Sequence, residues 1–160
     1  MKTATHNLAF IVEDNEMFST MLDYTLSNDS NSMCRFVSYK SGEECIHNLY
    51  MNPIVVILDY GLPGMNGLKT LKVIKKYNSD ISVVILTSKN DASLARNVFN
   101  AGAEHYLVKQ KSTVPQITKI INVILNDGID KRSMEKCKES SNVFSTFWKT
   151  ISNHKNKRTT

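Results

Sequence analysis

Short apolar runs rich in valine and isoleucine recur along most of this chain, and they constrain its fold more than any other feature. The strongest runs are Leu8–Val12, Val55–Leu58 and Val83–Leu86, and weaker ones cover Arg35–Tyr39 and His105–Val108. Continuous apolar runs of this length are typical of strands that are buried on both faces of a parallel sheet. The runs therefore predict five strands.

The segments between these runs have apolar residues at the spacing of amphipathic helices. The clearest stripes are Met17, Met21, Leu22 and Leu26; Leu68, Leu71 and Ile74; and Ile117, Ile120, Ile121 and Ile124. Asp14 or Asn15 can cap the first helix, and Ser112 or Thr113 the last, with Pro115 in its first turn. Five strand–helix units in about 125 residues predict a doubly wound parallel α/β sheet with helices on both faces.

The net positive charge of the chain comes from its last thirty residues. The net charge is +5, yet residues 1–130 hold 12 Lys and Arg against 13 Asp and Glu, whereas residues 131–160 hold 8 against 2. This shift predicts one domain over residues 1–129 and a basic tail over residues 130–160, with the boundary near Gly128–Lys131.

The tail has its own helical pattern, a stripe made of Val143, Phe144, Phe147, Trp148 and Ile151. A short amphipathic helix of this kind either packs on its own domain or serves a partner or an anionic surface. Thirty residues are too few for an ordinary helix-turn-helix or winged-helix domain, so the sequence offers no convincing DNA-binding domain.

Cysteine usage and hydropathy bear on location. The three cysteines, Cys34, Cys45 and Cys137, form no CxxC pair, and no apolar run reaches the roughly 18 residues of a transmembrane span. These features argue against a disulfide framework and a transmembrane segment, and they predict a cytoplasmic protein.

Polar residues that can bind a ligand or take part in a reaction follow the predicted strands. They are Glu13 and Asp14 after the first strand, Asp59 at the end of the third, Thr87 at the end of the fourth, and Lys109 after the fifth. In open parallel sheets the ligand site lies outside the carboxyl ends of the strands, so these side chains are expected to converge. Three carboxylates in one pocket need a cation, and Mg²⁺ is the hard ion that oxygen ligands favour.

Each of these residues also has an ordinary explanation. Glu13 and Asp14 suit a helix N-terminus, Asp59 suits a turn, and Lys109 suits a solvated surface. Their joint placement at strand ends favours a functional site. The chain has no glycine-rich nucleotide motif, and a carboxylate can itself be a nucleophile that becomes an aspartyl-phosphate.

Four segments resemble a known family. They are Ile11–Asn15 (IVEDN), Leu58–Gly67 (LDYGLPGMNG), Leu86–Ser88 (LTS) and Ala101–Lys109 (AGAEHYLVK). Over residues 8–126 the chain resembles the receiver domain of two-component response regulators, including chemotaxis receivers. The resemblance implies a flavodoxin-like (βα)5 sheet with strand order 2-1-3-4-5, and a cytoplasmic domain that accepts a phosphoryl group in phosphorelay signal transduction.

The resemblance also implies a metal site and a phosphoacceptor. Asp59 would be the residue that is phosphorylated. Asp14, Asp59 and the backbone carbonyl of Gly61 would bind Mg²⁺ directly, and Glu13 would reach the ion through water.

The same resemblance assigns phosphate binding and switching. Thr87, Ser88 and Lys109 would bind the phosphoryl oxygens, and Tyr106 would turn inward as Thr87 is drawn to the phosphate. The surface formed by the fourth helix, the fifth strand and the fifth helix would then change and signal downstream. The implied partners are a sensor histidine kinase or a histidine phosphotransfer protein, and the same surface would allow a homodimer.

The chain departs from the family pattern at Gln110, where receivers usually have a cis proline after the lysine. Gly61 and Lys89 occupy positions that tune phosphoryl lifetime in the family. The resemblance implies a signalling domain that promotes its own phosphorylation and dephosphorylation and is not otherwise an enzyme. Two alternatives are a scaffold that is not phosphorylated, which would not need the complete set, and a phosphatase, which would need an aspartate where Gly61 stands.

Overall fold

The computed structural model describes residues 7–29, 34–110 and 113–126. Strands and helices alternate through these residues, with a short 3-10 helix at Leu49–Met51 before the third strand. The elements are β1 (Asn7–Val12), α1 (Glu16–Ser27), β2 (Cys34–Tyr39), α2 (Gly42–His47), β3 (Val55–Asp59), α3 (Gly67–Tyr77), β4 (Ser82–Thr87), α4 (Ala92–Asn100), β5 (His105–Val108) and α5 (residues 113–126).

The five strands form one parallel sheet in the order β2-β1-β3-β4-β5. This confirms the predicted doubly wound fold and its strand order. The strand order reverses direction between β1 and β3, which pair directly. The register places Asp59 of β3 beside Leu86 of β4, so the carboxyl ends of the central strands lie at one edge of the sheet.

Alternating side chains of the strands are buried on the two faces of the sheet. Phe10 and Val12 of β1 belong to a core shared with α2, α3 and α4, whose buried members include Leu71 and Val98. Ala9 and Ile11 point to the opposite face and are fully buried. The buried apolar side chains of α1 and of α5 up to residue 122 are not part of the first core, so we assign them to this second face. They are Leu22, Leu26, Ile117 and Ile121.

The first helix corrects one prediction. Leu22 and Leu26 are buried as expected, but Met17 and Met21 are 84% and 44% exposed. The buried face of α1 instead includes Ser19, because residues three and four apart share a helix face and Leu22 and Leu26 continue the face that Ser19 begins. The sequence identified the helix correctly but placed its two methionines on the wrong side.

The predicted tail over residues 130–160, its helical stripe and its boundary with the receiver region lie outside the described residues. The chain divides into two compact units, Met1–Asn122 and Val123–Thr160, and the sheet lies entirely in the first. Among the helices that the structure describes, none is both long and apolar enough to span a bilayer.

Candidate functional site

The turn after β1 fixes the first two carboxylates at the carboxyl edge of the sheet. The backbone N–H of Glu13 donates to the carbonyl of Tyr39, at 3.0 Å, which continues the pairing of β1 with β2. Asn15 then caps α1, since its side chain accepts a hydrogen bond from the Phe18 N–H at 3.0 Å. Glu13 is therefore buried at 1% exposure, whereas Asp14 is exposed at the start of the helix.

Asp59 is the last residue of β3 and is only 5% exposed. The chain turns at once, because the N–H of Tyr60 donates to the carbonyl of Leu86 at 2.7 Å. The helix α3 begins against this turn at Gly67, where an added Cβ would lie 2.6 Å from the carbonyl oxygen of Asp59. The last glycine of the LDYGLPGMNG segment is therefore required by packing, and it allows the helix to start beside the site.

The loop between β3 and α3 is held by a neighbouring helix. Gly64 has a φ of +71°, which favours glycine, and the N–H of Met65 donates to Glu43 Oε1 of α2 at 2.9 Å. Gly61 lies earlier in this loop, and an added Cβ there would be 3.5 Å from Asp59 Oδ2. Gly61 thus adjoins the Asp59 carboxylate without covering it.

Lys109 brings a positive charge to the buried carboxylates. Its Nζ lies 2.7 Å from Glu13 Oε2 and 3.2 Å from Asp59 Oδ1, and its side chain is 21% exposed. Its backbone N–H donates to the carbonyl of Thr87 at 2.7 Å, which continues the pairing of β5 with β4. Two of the three predicted carboxylates, those of Glu13 and Asp59, therefore meet the predicted lysine at one point.

The carboxylates outnumber the positive charges at this point. Ligand oxygens of Glu13, Asp14 and Asp59 all lie within 4.8 Å of one another, and Lys109 is the ammonium that contacts two of them. Burial raises the pKa of Glu13 above its ordinary value, and repulsion from Asp59 raises it further, while Lys109 opposes the shift. The cluster therefore favours an additional positive charge.

A divalent cation fits this donor set. Glu13 Oε2 is buried with the Lys109 ammonium 2.7 Å away, and no other donor reaches it among the described residues. Asp14 is exposed, so the cluster is open to solvent on one side. Carboxylate oxygens with access to water suit Mg²⁺, which binds a few protein oxygens and retains several waters.

Thr87 and Tyr106 are connected through the loop that follows β4. Thr87 is 2% exposed, and its Oγ1 accepts a hydrogen bond from the Lys89 N–H at 3.1 Å. The hydroxyl of Tyr106 donates to the carbonyl of Lys89 at 2.6 Å and accepts from the N–H of Asp91 at 3.4 Å. Lys89 therefore links the two residues that sequence reasoning assigned to a switch.

The remaining predicted positions lie around this loop and the next. Ser88 follows Thr87 and is exposed. The bond between Lys109 and Gln110 is trans, as no cis peptide occurs in the described residues. The N–H of Gln110 donates to Thr113 Oγ1 at 2.7 Å, and Thr113 Oγ1 donates to the carbonyl of Val108 at 3.1 Å. Gln110 thus uses a donor that proline lacks.

Sequence reasoning did not single out Phe18. The ammonium of Lys109 lies over its ring, 4.8 Å from the ring centroid. The available signal was its place in the first turn of a helix that starts directly after Glu13 and Asp14, but an aromatic residue in an amphipathic helix is ordinarily assigned to packing.

Comparison with known proteins identifies the family. The family model described as the response regulator receiver domain matches residues 9–122, well over half of the chain. The chain belongs to this family. Receiver domains act in phosphorelay signalling, and they are signalling domains, generally without enzymatic activity of their own. The predicted family and its signalling role are therefore confirmed.

Curated relatives match only the receiver region of the chain. The DNA-binding transcriptional regulator NtrC of Klebsiella pneumoniae is 33% identical over 103 residues, covering 64% of this chain and 21% of the relative. A nitrate/nitrite response regulator protein homolog of Haemophilus influenzae is 33% identical over 98 residues, covering 58% of this chain and 47% of the relative. The matched regions thus span less than half of these relatives.

Solved structures share the fold at lower identity. The Vibrio cholerae chemotaxis protein CheY4 matches with a TM-score of 0.68 and 18% identity, over 75% of this chain and 99% of that one. The Thermotoga maritima response regulator protein TrrA, solved in complex with Mg²⁺ and BeF, matches with a TM-score of 0.65 and 21% identity, over 74% and 98%. These likenesses support the receiver fold.

Proposed function

We propose that this receiver domain accepts a phosphoryl group on Asp59 from a phosphohistidine of a sensor histidine kinase or a histidine phosphotransfer protein. The observation that carries the proposal is the position of the Asp59 carboxylate, 3.2 Å from the Lys109 ammonium and within the cluster formed with Glu13 and Asp14. A carboxylate in this setting is a nucleophile whose phosphorylated form has a cationic partner already in reach.

The chemistry of transfer is a displacement at phosphorus. An oxygen of Asp59 forms a bond to phosphorus as the phosphorus–nitrogen bond breaks, and the donor imidazole leaves with the electron pair. Lys109 stabilises the charge on the phosphoryl oxygens, and the Thr87 hydroxyl donates to one of them, with exposed Ser88 beside it. The domain thereby promotes its own phosphorylation, and hydrolysis of the acyl phosphate resets it.

Glu13, Asp14, Asp59 and the carbonyl of Gly61 are the groups that would hold Mg²⁺, with Glu13 acting through water. The buried Glu13 carboxylate, whose Oε2 contacts only the shared Lys109 ammonium among the described residues, and the exposed Asp14 carboxylate support this assignment. When bound, Mg²⁺ neutralises the carboxylates and orients the phosphoryl oxygens.

Phosphorylation acts on Thr87, Lys89 and Tyr106. When the Thr87 hydroxyl turns to a phosphoryl oxygen, its contact with the Lys89 N–H changes, and Lys89 is the residue that Tyr106 also binds. The equilibrium between two arrangements of this loop then shifts, because only one of them donates to the phosphate. The downstream surface is that of α4, β5 and the start of α5, where a homodimer would also form.

The exposed side of α1 is our proposed docking surface for the phosphodonor. Met17, Met21 and Tyr24 are spaced four and three residues apart, so they share one helix face, and they are 84%, 44% and 72% exposed. The stripe begins three residues after Asp14, beside the open side of the cluster. A donor whose imidazole reaches Asp59 approaches from the exposed side of the cluster. The apolar stripe on α1 gives such a donor a surface to bury.

Location and the tail belong to the same proposal. Cys34 and Cys45 are free and buried, and burial raises their thiol pKa values to about 11 and about 12, so both are unreactive thiols. Because cysteines outside disulfides are typical of a reducing compartment, we place the protein in the cytoplasm. A domain over residues 1–129 and a basic tail over residues 130–160 complete the proposal.

The test is phosphorylation by acetyl phosphate with Mg²⁺, followed by intact mass and hydroxylamine sensitivity. We expect wild type to gain one phosphoryl group and Asp59→Asn to gain none, since an amide is a poor nucleophile. Asp80→Asn is the matched control, because Asp80 is exposed and far along the chain from the cluster, and it is expected to behave as wild type. Undiminished phosphate on Asp59→Asn would refute Asp59 as the phosphoacceptor, and a wild type that gains no phosphate would favour the scaffold alternative.

Metal binding is tested separately by titration with Mg²⁺ and amide chemical shifts. Asp14→Ala is expected to weaken binding at least about tenfold, because it removes one of the carboxylates that the ion neutralises. Asp80→Ala is the control for loss of a surface charge. Equal affinity in wild type and Asp14→Ala would contradict the ligand assignment.

A further inference from the structure

The ammonium of Lys109 has a neutral contact besides its two carboxylates. Its Nζ lies over the ring of Phe18, 4.8 Å from the ring centroid. This distance is within the range at which the negative face of an aromatic ring attracts a cation. Lys109 thus contacts a side chain of α1 as well as the carboxylates that follow β1 and end β3.

The backbone of Phe18 is held in the first turn of α1, next to the site. Its N–H donates to the capping side chain of Asn15, at 3.0 Å, in the first turn of α1. The ring is partly exposed, whereas the buried side chains of the same helix are Ser19, Leu22 and Leu26. The side chain of Phe18 therefore lies at the site rather than deep in the core.

We propose that Phe18 is a positioning residue for Lys109 during phosphoryl transfer, an inference that rests on the proposed function of Asp59. Glu13 competes with Asp59 for the ammonium, and its oxygen is closer, at 2.7 Å against 3.2 Å. The attraction of the ring does not depend on the charge of either carboxylate. Phe18 therefore continues to hold the ammonium at the site when a phosphoryl group changes the charge of Asp59.

The first test compares Phe18→Leu with Phe18→Tyr in the full chain with Mg²⁺. Leucine keeps an apolar side chain but removes the ring, and tyrosine keeps the ring. We expect Phe18→Leu to lower the acetyl phosphate reaction rate and beryllofluoride affinity by about threefold to tenfold. Phe18→Tyr and the control Tyr77→Leu, an exposed aromatic on α3, are expected within about twofold of wild type.

A double-mutant cycle with Lys109→Gln shows whether Phe18 acts through the lysine. If it does, Phe18→Leu causes no further loss of rate or affinity once the ammonium is absent. An equal loss in both backgrounds, or no loss in either, would overturn the inference. Wild type that neither binds beryllofluoride nor gains phosphate would instead refute the proposed function.

A spectroscopic measurement without any phosphoryl analogue completes the test. The side-chain methylene protons next to the Lys109 ammonium are expected upfield of ordinary lysine protons because of the ring current of Phe18. The shift is expected to disappear in Phe18→Leu and to persist in Phe18→Tyr. Ordinary shifts in wild type would overturn the inference, even if Phe18→Leu proved less stable.

Discussion

Two lysines mark opposite edges of the sheet, and their surroundings differ. At the carboxyl edge, Lys109 contacts Glu13 and Asp59. At the amino edge, Lys75 of α3 donates to the carbonyl of Ser79 at 3.1 Å, the carbonyl of Ile81 at 2.6 Å and Glu104 Oε1 at 3.3 Å. These groups lie just before β4 and β5, so Lys75 joins a helix to the starts of two strands.

The difference is the one expected between a structural lysine and a lysine at a ligand site. Lys75 has three acceptors for its three N–H donors, and one ammonium faces one carboxylate. Lys109 faces an excess of carboxylates, since Glu13 and Asp59 share its ammonium and the Asp14 carboxylate joins the same cluster. The ammonium of Lys75 is satisfied within the fold, whereas the carboxylates around Lys109 outnumber the ammonium that contacts them, as expected of a cation site.

The largest expected effect is on the rate of phosphorylation, in which the two lysines should differ. Lys109→Gln is expected to slow phosphorylation by acetyl phosphate at least about 100-fold, because it removes a preorganised charge from the phosphoryl oxygens. Lys75→Gln, measured where both variants remain folded, is expected within about twofold of wild type. Similar losses in both folded variants would contradict a specific role of Lys109 at the phosphoryl group.

The next effect reverses the comparison and concerns stability. Lys75→Met is expected to lower the free energy of unfolding by about 2 kcal/mol, because hydrogen bonds to a charged group are lost and two carbonyls lose their donor. Lys69→Met, on the exposed side of the same helix, is the control and is expected to change it by less than about 0.5 kcal/mol. Urea unfolding measures both, and equal values would contradict a structural role for Lys75.

The smallest effect is the pH dependence that Glu13 contributes. Burial, and repulsion from Asp59, raise its native pKa above the ordinary 4.5, so folding takes up a proton between these two values. The stability linked to Glu13 is full below pH 4.5 and is lost as the pH rises through the native pKa. Without Mg²⁺, Glu13→Gln is therefore expected to gain in unfolding free energy relative to wild type as the pH rises towards neutral. Urea unfolding across this pH range measures both proteins. A difference in unfolding free energy that does not change with pH would contradict a raised pKa of Glu13.

The residue pattern alone predicted a doubly wound parallel sheet and the convergence at its carboxyl edge, whereas the strand order was implied by the resemblance to receiver domains. Buried strands of a parallel sheet leave continuous apolar runs, and strand ends place residues such as Asp59 and Lys109 together whatever the details of packing. The side of α1 on which Met17 and Met21 lie was not predictable in the same way. Both methionines fit the helical period, and only the tertiary packing decides which side is buried.

The contacts of Lys109 with Phe18, and of Gln110 with Thr113, were also beyond sequence reasoning. They depend on where side chains from separate elements end, to within an ångström, and residue spacing contains no such information. The role of each site residue remains a prediction that the proposed experiments test.

The most direct test of this account is a map of amide chemical shifts on adding beryllofluoride with Mg²⁺. We expect changes in residues 87–101 and 106–109, because the analogue on Asp59 engages Thr87 and Lys109 and alters the loop that Tyr106 binds. Amides at the amino edge, at Ile81 and Glu104, are expected to remain unchanged. Changes confined to the metal-contacting residues, or equally large changes at both edges, would contradict a phosphorylation switch centred on the carboxyl edge.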